Sequence, residues 1–159
     1  MAASLESLCE ELAAGAEASI AHASLVLVVP PERLRATASR LRDRGFDVLV
    51  DVTAVDWPGR VPRFDVVWHF YSTGHHLRAR MKTRVPEADP VVDTLTALYG
   101  SAAFMERECH DMYGIVFRGN ADLRPILLYE GFVGHPLRKD YPKQQEQPLV
   151  PYLDGKAAR

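Results

Sequence analysis

The chain has 159 residues, 47% hydrophobic and 25% charged, with a formal charge of −2 at pH 7. That is the length of one domain with enough apolar residues for a core, and the near-neutral balance argues against generic nucleic-acid binding, which calls for a strongly basic domain. Cys9 and Cys109 form no CxxC and fall short of the four thiolates of a cluster or structural zinc site, and no apolar run approaches the ~20 residues of a membrane span.

The start carries Glu6, Glu10 and Glu11, which suit neither a transit peptide nor a secretory signal, so the chain is expected in the cytosol or attached indirectly to a cytosolic membrane face. Leu5, Leu8 and Leu12 define a short amphipathic helix, with Gly15 as its stop. Ser24 to Val29 is a β-branched run closed by Pro30-Pro31, and reads as a strand. A second helix follows, with Leu34, Ala38 and Leu41 on one face, arginines on the other and Gly45 beyond its end.

From Phe46 to Asp56 the pattern alternates, with Val48, Val50, Val52 and Ala54 expected on one face and Asp47, Asp51 and Thr53 on the other. Trp57-Pro58-Gly59 turns the chain. Phe64, Val66, Trp68 and Phe70 then alternate with Asp65, Val67, His69 and Tyr71. After Ser72-Thr73-Gly74, the residues Leu77, Ala79 and Met81 alternate with Arg78, Arg80, Lys82 and Arg84. Three short-linked alternating runs predict an antiparallel meander with one buried face. The basic face of the last run fits a nucleic-acid surface, a protein contact, or a solvated edge partly neutralised by Asp65 and His69.

Asp89-Pro90 looks like the start of a helix with Val91, Leu95 and Leu98 buried and Gly100 as its stop. Ser101 can cap a further helix to about Tyr113, with Met105, Cys109 and Met112 on its apolar side and Gly114 just beyond it. The fold class is therefore α+β: a four-stranded, mostly antiparallel sheet, flanking helices and a long irregular C-terminal arm. Residues 1–113 form the scaffold and 114–159 the arm.

The last helix carries a dense charged cluster, Glu106, Arg107, Glu108 and Asp111. Its i,i+4 spacings, Arg107 to Asp111 and Glu106 to His110, fit surface pairs. As a general acid and base the carboxylates are badly arranged, because positions 106 and 108 point about 200° apart on a helix. The preferred reading is that the cluster holds the following segment by charge-assisted hydrogen bonds. That segment lacks either periodicity yet contains Phe117, Leu123, Ile126 to Tyr129, Phe132 and Tyr141, so it is expected to fold against a partner chain. His75-His76, Cys109, His110 and His135 lack paired metal-ligand spacing, and no GxGxxG, Walker or GxSxG motif occurs.

Glu106-Arg107-Glu108, Asp111-Met112-Tyr113-Gly114-Ile115, Asp122-Leu123-Arg124 and Gly134-His135-Pro136-Leu137-Arg138-Lys139-Asp140-Tyr141-Pro142 stand in that order. Together they resemble the signature of the 30-kDa subunit of respiratory complex I, the proton-translocating NADH:quinone oxidoreductase. The resemblance covers about Phe46 to Pro142, with Asn120-Ala121 where the family usually has His-Pro.

It implies a non-catalytic subunit of the hydrophilic arm, on the cytoplasmic face of a bacterial inner membrane. Such a subunit binds no cofactor itself, while NADH, FMN, iron–sulfur clusters and quinone belong to the complex. Its implied partners are the 49-kDa-type subunit, the cluster-bearing subunit beside it and other peripheral-arm subunits. The implied docking residues are Glu106, Arg107, Glu108, Asp111, Asp122, Arg124, His135, Pro136, Arg138, Lys139, Asp140 and Tyr141. The equivalent subunit of an energy-converting hydrogenase or related dehydrogenase is the neighbouring alternative, and a free-standing binding module using Arg78 to Arg84 is the alternative of another class.

Overall fold

A computed structural model describes residues 5–13 and 16–144 of the chain; Gly15 and the last part of the arm lie outside them. The elements are α1 (Leu5–Leu12), β1 (Glu17–Ala21), β2 (Ser24–Val28), a 3-10 turn (Pro31–Arg33) running into α2 (Leu34–Asp43), β3 (Val48–Asp56), β4 (Phe64–Ser72), β5 (Leu77–Val85), β6 (Val91–Asp93), α3 (Ala102–Tyr113) and β7 (Val116–Arg118). The α+β class holds. The main sheet, however, has five strands in the order β1-β2-β5-β4-β3, and β6 and β7 form a separate parallel pair.

The expected meander β3-β4-β5 is antiparallel, whereas β2 joins β5 in parallel. The fifth strand, β1, gives weak sequence signals. It is short, almost wholly exposed, and joined to β2 by His22-Ala23, both at positive φ (51° and 54°). A two-residue hairpin of that shape ordinarily announces itself with Asn-Gly.

One face of the sheet carries Leu25 and Leu27, Ala79 and Met81, Phe64, Val66, Trp68 and Phe70, and Leu49, Val52 and Ala54. The buried stripes of all three helices join this single core, through Leu8 and Leu12, Leu34, Ala38 and Leu41, and Ala102 and Cys109. The alternation expected in β3 fails at its start. The register with β4 slips between Leu49 and Asp51, so Val48 and Val50 are exposed and Leu49 is buried. A bulge adds one residue to one strand, which reverses the side-chain phase on either side of it.

The helix expected after Asp89-Pro90 is not formed. Val91–Asp93 is a strand instead, with Val92 rather than Val91 buried, and Leu95 and Tyr99 close a single turn (Tyr99 N–H to Leu95 carbonyl, 2.9 Å). Two features take the backbone out of the helical ladder. Val91–Asp93 pairs with Val116–Arg118, and the Leu95 N–H donates to the Glu106 carboxylate at 2.8 Å.

The following helix forms as expected, with Gly114 left-handed at its C-cap (φ 75°). Ser101 does not cap it by side chain. Its hydroxyl donates to the Leu49 carbonyl at the bulge instead.

Candidate functional site

Helix α3 packs along β3, and its C-terminal half is where the charged cluster meets residues 119–144. The last turn of a helix leaves four carbonyls without intrahelical donors. Here each is satisfied. His110 O accepts from Gly114 N–H (2.7 Å), Asp111 O from His135 Nδ1 (3.0 Å), Met112 O from Leu137 N–H (3.2 Å) and Tyr113 O from Arg138 Nε (2.6 Å). Three of the four donors come from the segment 135–138, which is thereby seated on the helix end.

The approach is close enough to require glycine at position 114. A Cβ there would lie 2.5 Å from His135 Nε2 and 2.6 Å from Arg138 Nη2. Gly134 has a similar role, since its Cβ would come within 2.9 Å of the Tyr141 ring.

The cluster side chains do not make the i,i+4 surface pairs that their spacing allows. Glu106 is fully buried, and its carboxylate accepts from Thr94 Oγ1 (2.6 Å), Leu95 N–H (2.8 Å) and Asn120 Nδ2 (2.9 Å). Burial pushes its pKa up against the pull of those three donors. Asp111 Oδ2 accepts from three successive backbone N–H groups, Ile126, Leu127 and Leu128, at 3.1, 2.9 and 2.9 Å. Burial works to raise the Asp111 pKa, but the three N–H dipoles together hold it below the ordinary carboxylate value.

Arg107 reaches the other side of the same loop. It donates to the carbonyls of Arg124 and Pro125, both at 3.0 Å, and lies 3.6 Å from Asp122, which also pairs with Arg124 at 2.8 Å. Glu108 is exposed on the helix and shares none of these bonds. Pro136 is partly buried in the turn between His135 and Leu137.

A second fastening was not evident from the sequence. Arg63, 8% exposed, makes a bidentate pair with Asp56 (2.7 and 2.8 Å) and also donates to Asp140 (2.9 Å) and Glu87. The Lys139 N–H donates to the same Asp56 carboxylate at 2.7 Å. The Arg63 hydrogen bonds hold Asp56 below its ordinary pKa, and its partners raise Arg63 in return. Arg63 and Arg138 lie 5.0 and 5.1 Å from the Phe64 ring centre.

Asp56 ends one strand and Arg63 immediately precedes the next, so in sequence both look like hairpin punctuation. Asn120 and Thr94 are equally silent until the fold brings them to Glu106. Tyr141 stacks on Phe132 (6.0 Å), which meets Tyr129 edge-on (5.4 Å).

Chemically, this arrangement suits fixing a backbone rather than moving protons. The Glu106 and Asp111 carboxylates are filled with donors from their own chain, and in the small cavity of about 150 Å³ beside Asp111 the Nδ1 atoms of His110 and His135 are themselves bonded to the Ile115 and Asp111 carbonyls. Among the described residues no three His, Cys, Asp or Glu side chains are gathered to hold a metal ion, and no helix is long and apolar enough to cross a membrane.

The family described as the 30-kDa subunit of respiratory-chain NADH dehydrogenase matches residues 27–147. The chain belongs to this family.

Among members named as the C subunit of NADH-quinone oxidoreductase, that of Methylobacterium sp. (strain 4-46) is 43% identical over 146 residues, covering 87% of this chain and 67% of its own length. That of Agrobacterium fabrum is 48% identical over 128 residues, covering 79% and 64%. The chain thus spans about two thirds of the length of these relatives. A solved trypsin-resistant fragment (1–134) of Nqo5 is 36% identical, with a TM-score of 0.69 over 75% of this chain and 98% of that one. A chain of the membrane-bound sulfane sulfur reductase, an archaeal respiratory membrane complex, is 26% identical, with a TM-score of 0.78 over 87% and 86%.

Proposed function

We propose that this chain is a non-catalytic, peripheral-arm component of NADH:quinone oxidoreductase, and that it braces the quinone-reducing module beside the 49-kDa-type and cluster-bearing subunits. The whole complex carries electrons from NADH through FMN and iron–sulfur clusters to quinone and couples this to proton translocation. The chain sits on the cytoplasmic face of a bacterial inner membrane, reaching the bilayer only through its partners. Residues 1–113 serve as scaffold and 114–159 as the docking arm.

The observation that carries this reading is the combination of a pinned backbone with outward apolar side chains. The Asp111, Arg107 and Arg63 fastenings fix the path of residues 124–140, while Leu127 is 62% exposed and Val133 70% exposed, with Tyr129 and Leu137 also outward. An apolar surface held in one shape supports recognition of a partner with little ordering cost. The cluster residues Glu106, Arg107 and Asp111 then act through the arm, and Glu108 and Lys139 stand exposed for direct contact.

The likeness to the sulfane sulfur reductase chain favours one second reading, the equivalent position in a related membrane-bound respiratory complex. Purification of the tagged chain from its own membranes in mild detergent, with mass spectrometry of what accompanies it, separates the two. A 49-kDa-type subunit with the flavin-bearing subunit is the expected result. A hydrogenase-type or sulfur-reducing large subunit would transfer the chain to the relative, and recovery of the chain alone would remove the docking role.

A further inference from the structure

The face of the main sheet turned away from the helices carries the basic column that the arm does not use. On β5, Ala79, Met81, Thr83 and Val85 are buried on one side, leaving Arg78, Arg80, Lys82 and Arg84 on the other. Successive members stand ~6.6 Å apart on the strand.

The sequence allows Asp65 and His69 to neutralise this column, and the register does place them opposite Arg84 and Arg80. Neither does so. The Asp65 carboxylate is turned to the hairpin loop, where it accepts from Trp57 Nε1 (3.0 Å) and from Arg60 (2.5 and 3.2 Å). His69 is kept toward its neutral form by burial and then by Arg80 beside it. The acids left near the column are Asp51, across from His69, and Glu17, 3.8 Å from Arg84. Arg80 Nε is buried with no acceptor among the described residues.

Four cations gathered on one strand of a chain whose formal charge is −2, with only Asp51 and the exposed Glu17 beside them, leave a net positive local field. Apolar side chains alternate with that field. Val26 and Val28, partly exposed, flank Arg80 and Lys82 on β2, and Val50 stands out from the bulge at 51% exposure, while Val67 beside Lys82 on β4 is buried. A cavity of about 730 Å³ opens among His22, Asp51, His69, Tyr71, Arg78 and Arg80.

We propose that this open sheet face is a second docking surface, occupied by an acidic, partly apolar segment of a neighbouring subunit whose carboxylates meet Arg78, Arg80, Lys82 and Arg84. The proposal rests on the reading of the chain as part of a larger complex. A nucleic-acid backbone fits the face less well. Valines interrupt it, Asp51 and Glu17 border it, and Tyr71, its one aromatic ring on β4, already has the Arg78 guanidinium over it at 5.9 Å.

The test is zero-length carbodiimide cross-linking of the complex recovered with the tagged full-length chain, followed by peptide mapping. The expected product is an amide between Lys82 Nζ and an Asp or Glu of another subunit. Its yield should fall at least about tenfold in an Arg78→Glu, Arg80→Glu double variant whose circular dichroism is unchanged.

A complex that is recovered with other cross-links to this chain but none at Lys82 overturns the proposal while leaving the arm's docking role intact. A Lys82 cross-link only to this same chain overturns it too. Tight retention of the isolated chain on mixed-sequence DNA at physiological salt, lost in the double variant, would assign the face to nucleic acid instead. Recovery of no complex at all removes the reading of the chain as a component of one, and this proposal with it.

Discussion

At the scale of single residues, Asp111 and Asp56 do the most to hold the arm, each by accepting backbone N–H groups from far along the chain. Asp111→Asn keeps the shape but removes the charge, and should cost about 1–3 kcal/mol and speed amide exchange at Ile126 to Leu128, as read by denaturant unfolding and hydrogen exchange.

The acid dependence has a definite sign. The folded pKa of Asp111 lies below its ordinary 3.8, so its contribution is present in full above that range and is lost as pH falls through 3.8 toward the lowered value. The stability difference between wild type and Asp111→Asn should therefore shrink below pH 3.8. Glu106 acts in the opposite direction. Its folded pKa is raised above 4.5, so the ionised group costs stability above its folded value, and this cost disappears as pH falls to 4.5.

Arg63→Ala would leave the Asp56 side chain, 0% exposed, without its ion-pair partner. The expected loss is about 3–5 kcal/mol, with early exchange at Lys139, whereas Arg84→Ala, paired to Glu17 at 3.8 Å on the surface, should change stability by less than about 1 kcal/mol. Of these residues Asp111 stood out in sequence as part of a dense cluster. Asp56 and Arg63 did not, because an acid at a strand end and an arginine after a proline look like ordinary turn residues.

Among the elements, the helices with clean 3.6 periodicity and the three long strands were readable because their own side chains define the buried face. β3 shows where that stops. Its valines favour burying positions 48 and 50, but the bulge buries Leu49. Leu49→Ala should accordingly lower stability by about 2–5 kcal/mol and Val50→Ala by about 0.5 or less, measured as unfolding free energies; equal costs, or the reverse order, would contradict the observed register.

The segment after Pro90 fails for a related reason. Val91, Leu95 and Leu98 fit a helical stripe, yet the pairing partner Val116–Arg118 and the acceptor Glu106 lie more than ten residues away. Local propensity is a weak prior when a distant strand and a buried carboxylate compete for the same backbone groups.

For the whole molecule, the five-stranded sheet separates two surfaces. The helices and the arm's fastenings lie toward the core side, and the basic column of β5 lies on the open side. Arg138→Ala removes the donor to Tyr113 O and the contact with Phe64, both at the seat of the arm. It should reduce the yield of assembled complex several-fold, by native electrophoresis, with less effect on unfolding of the scaffold. Normal assembly with lost NADH turnover would speak against a bracing role.

Sequence alone determined the α+β class, the buried faces of α1, α2 and β5, the core-facing residues Phe64, Val66, Trp68 and Phe70 of β4, the glycine stop at Gly114, and the family motifs along residues 106–142, because each is written in local spacing. Only the tertiary structure decided that β1 extends the sheet and that β2 joins β5 in parallel, that Glu106 is buried, that Asp111 gathers three distant N–H groups, and that Asp65 turns away from Arg84. Those outcomes depend on pairings between residues remote in the chain, where the same side chain has several partners of equal chemistry and packing selects one.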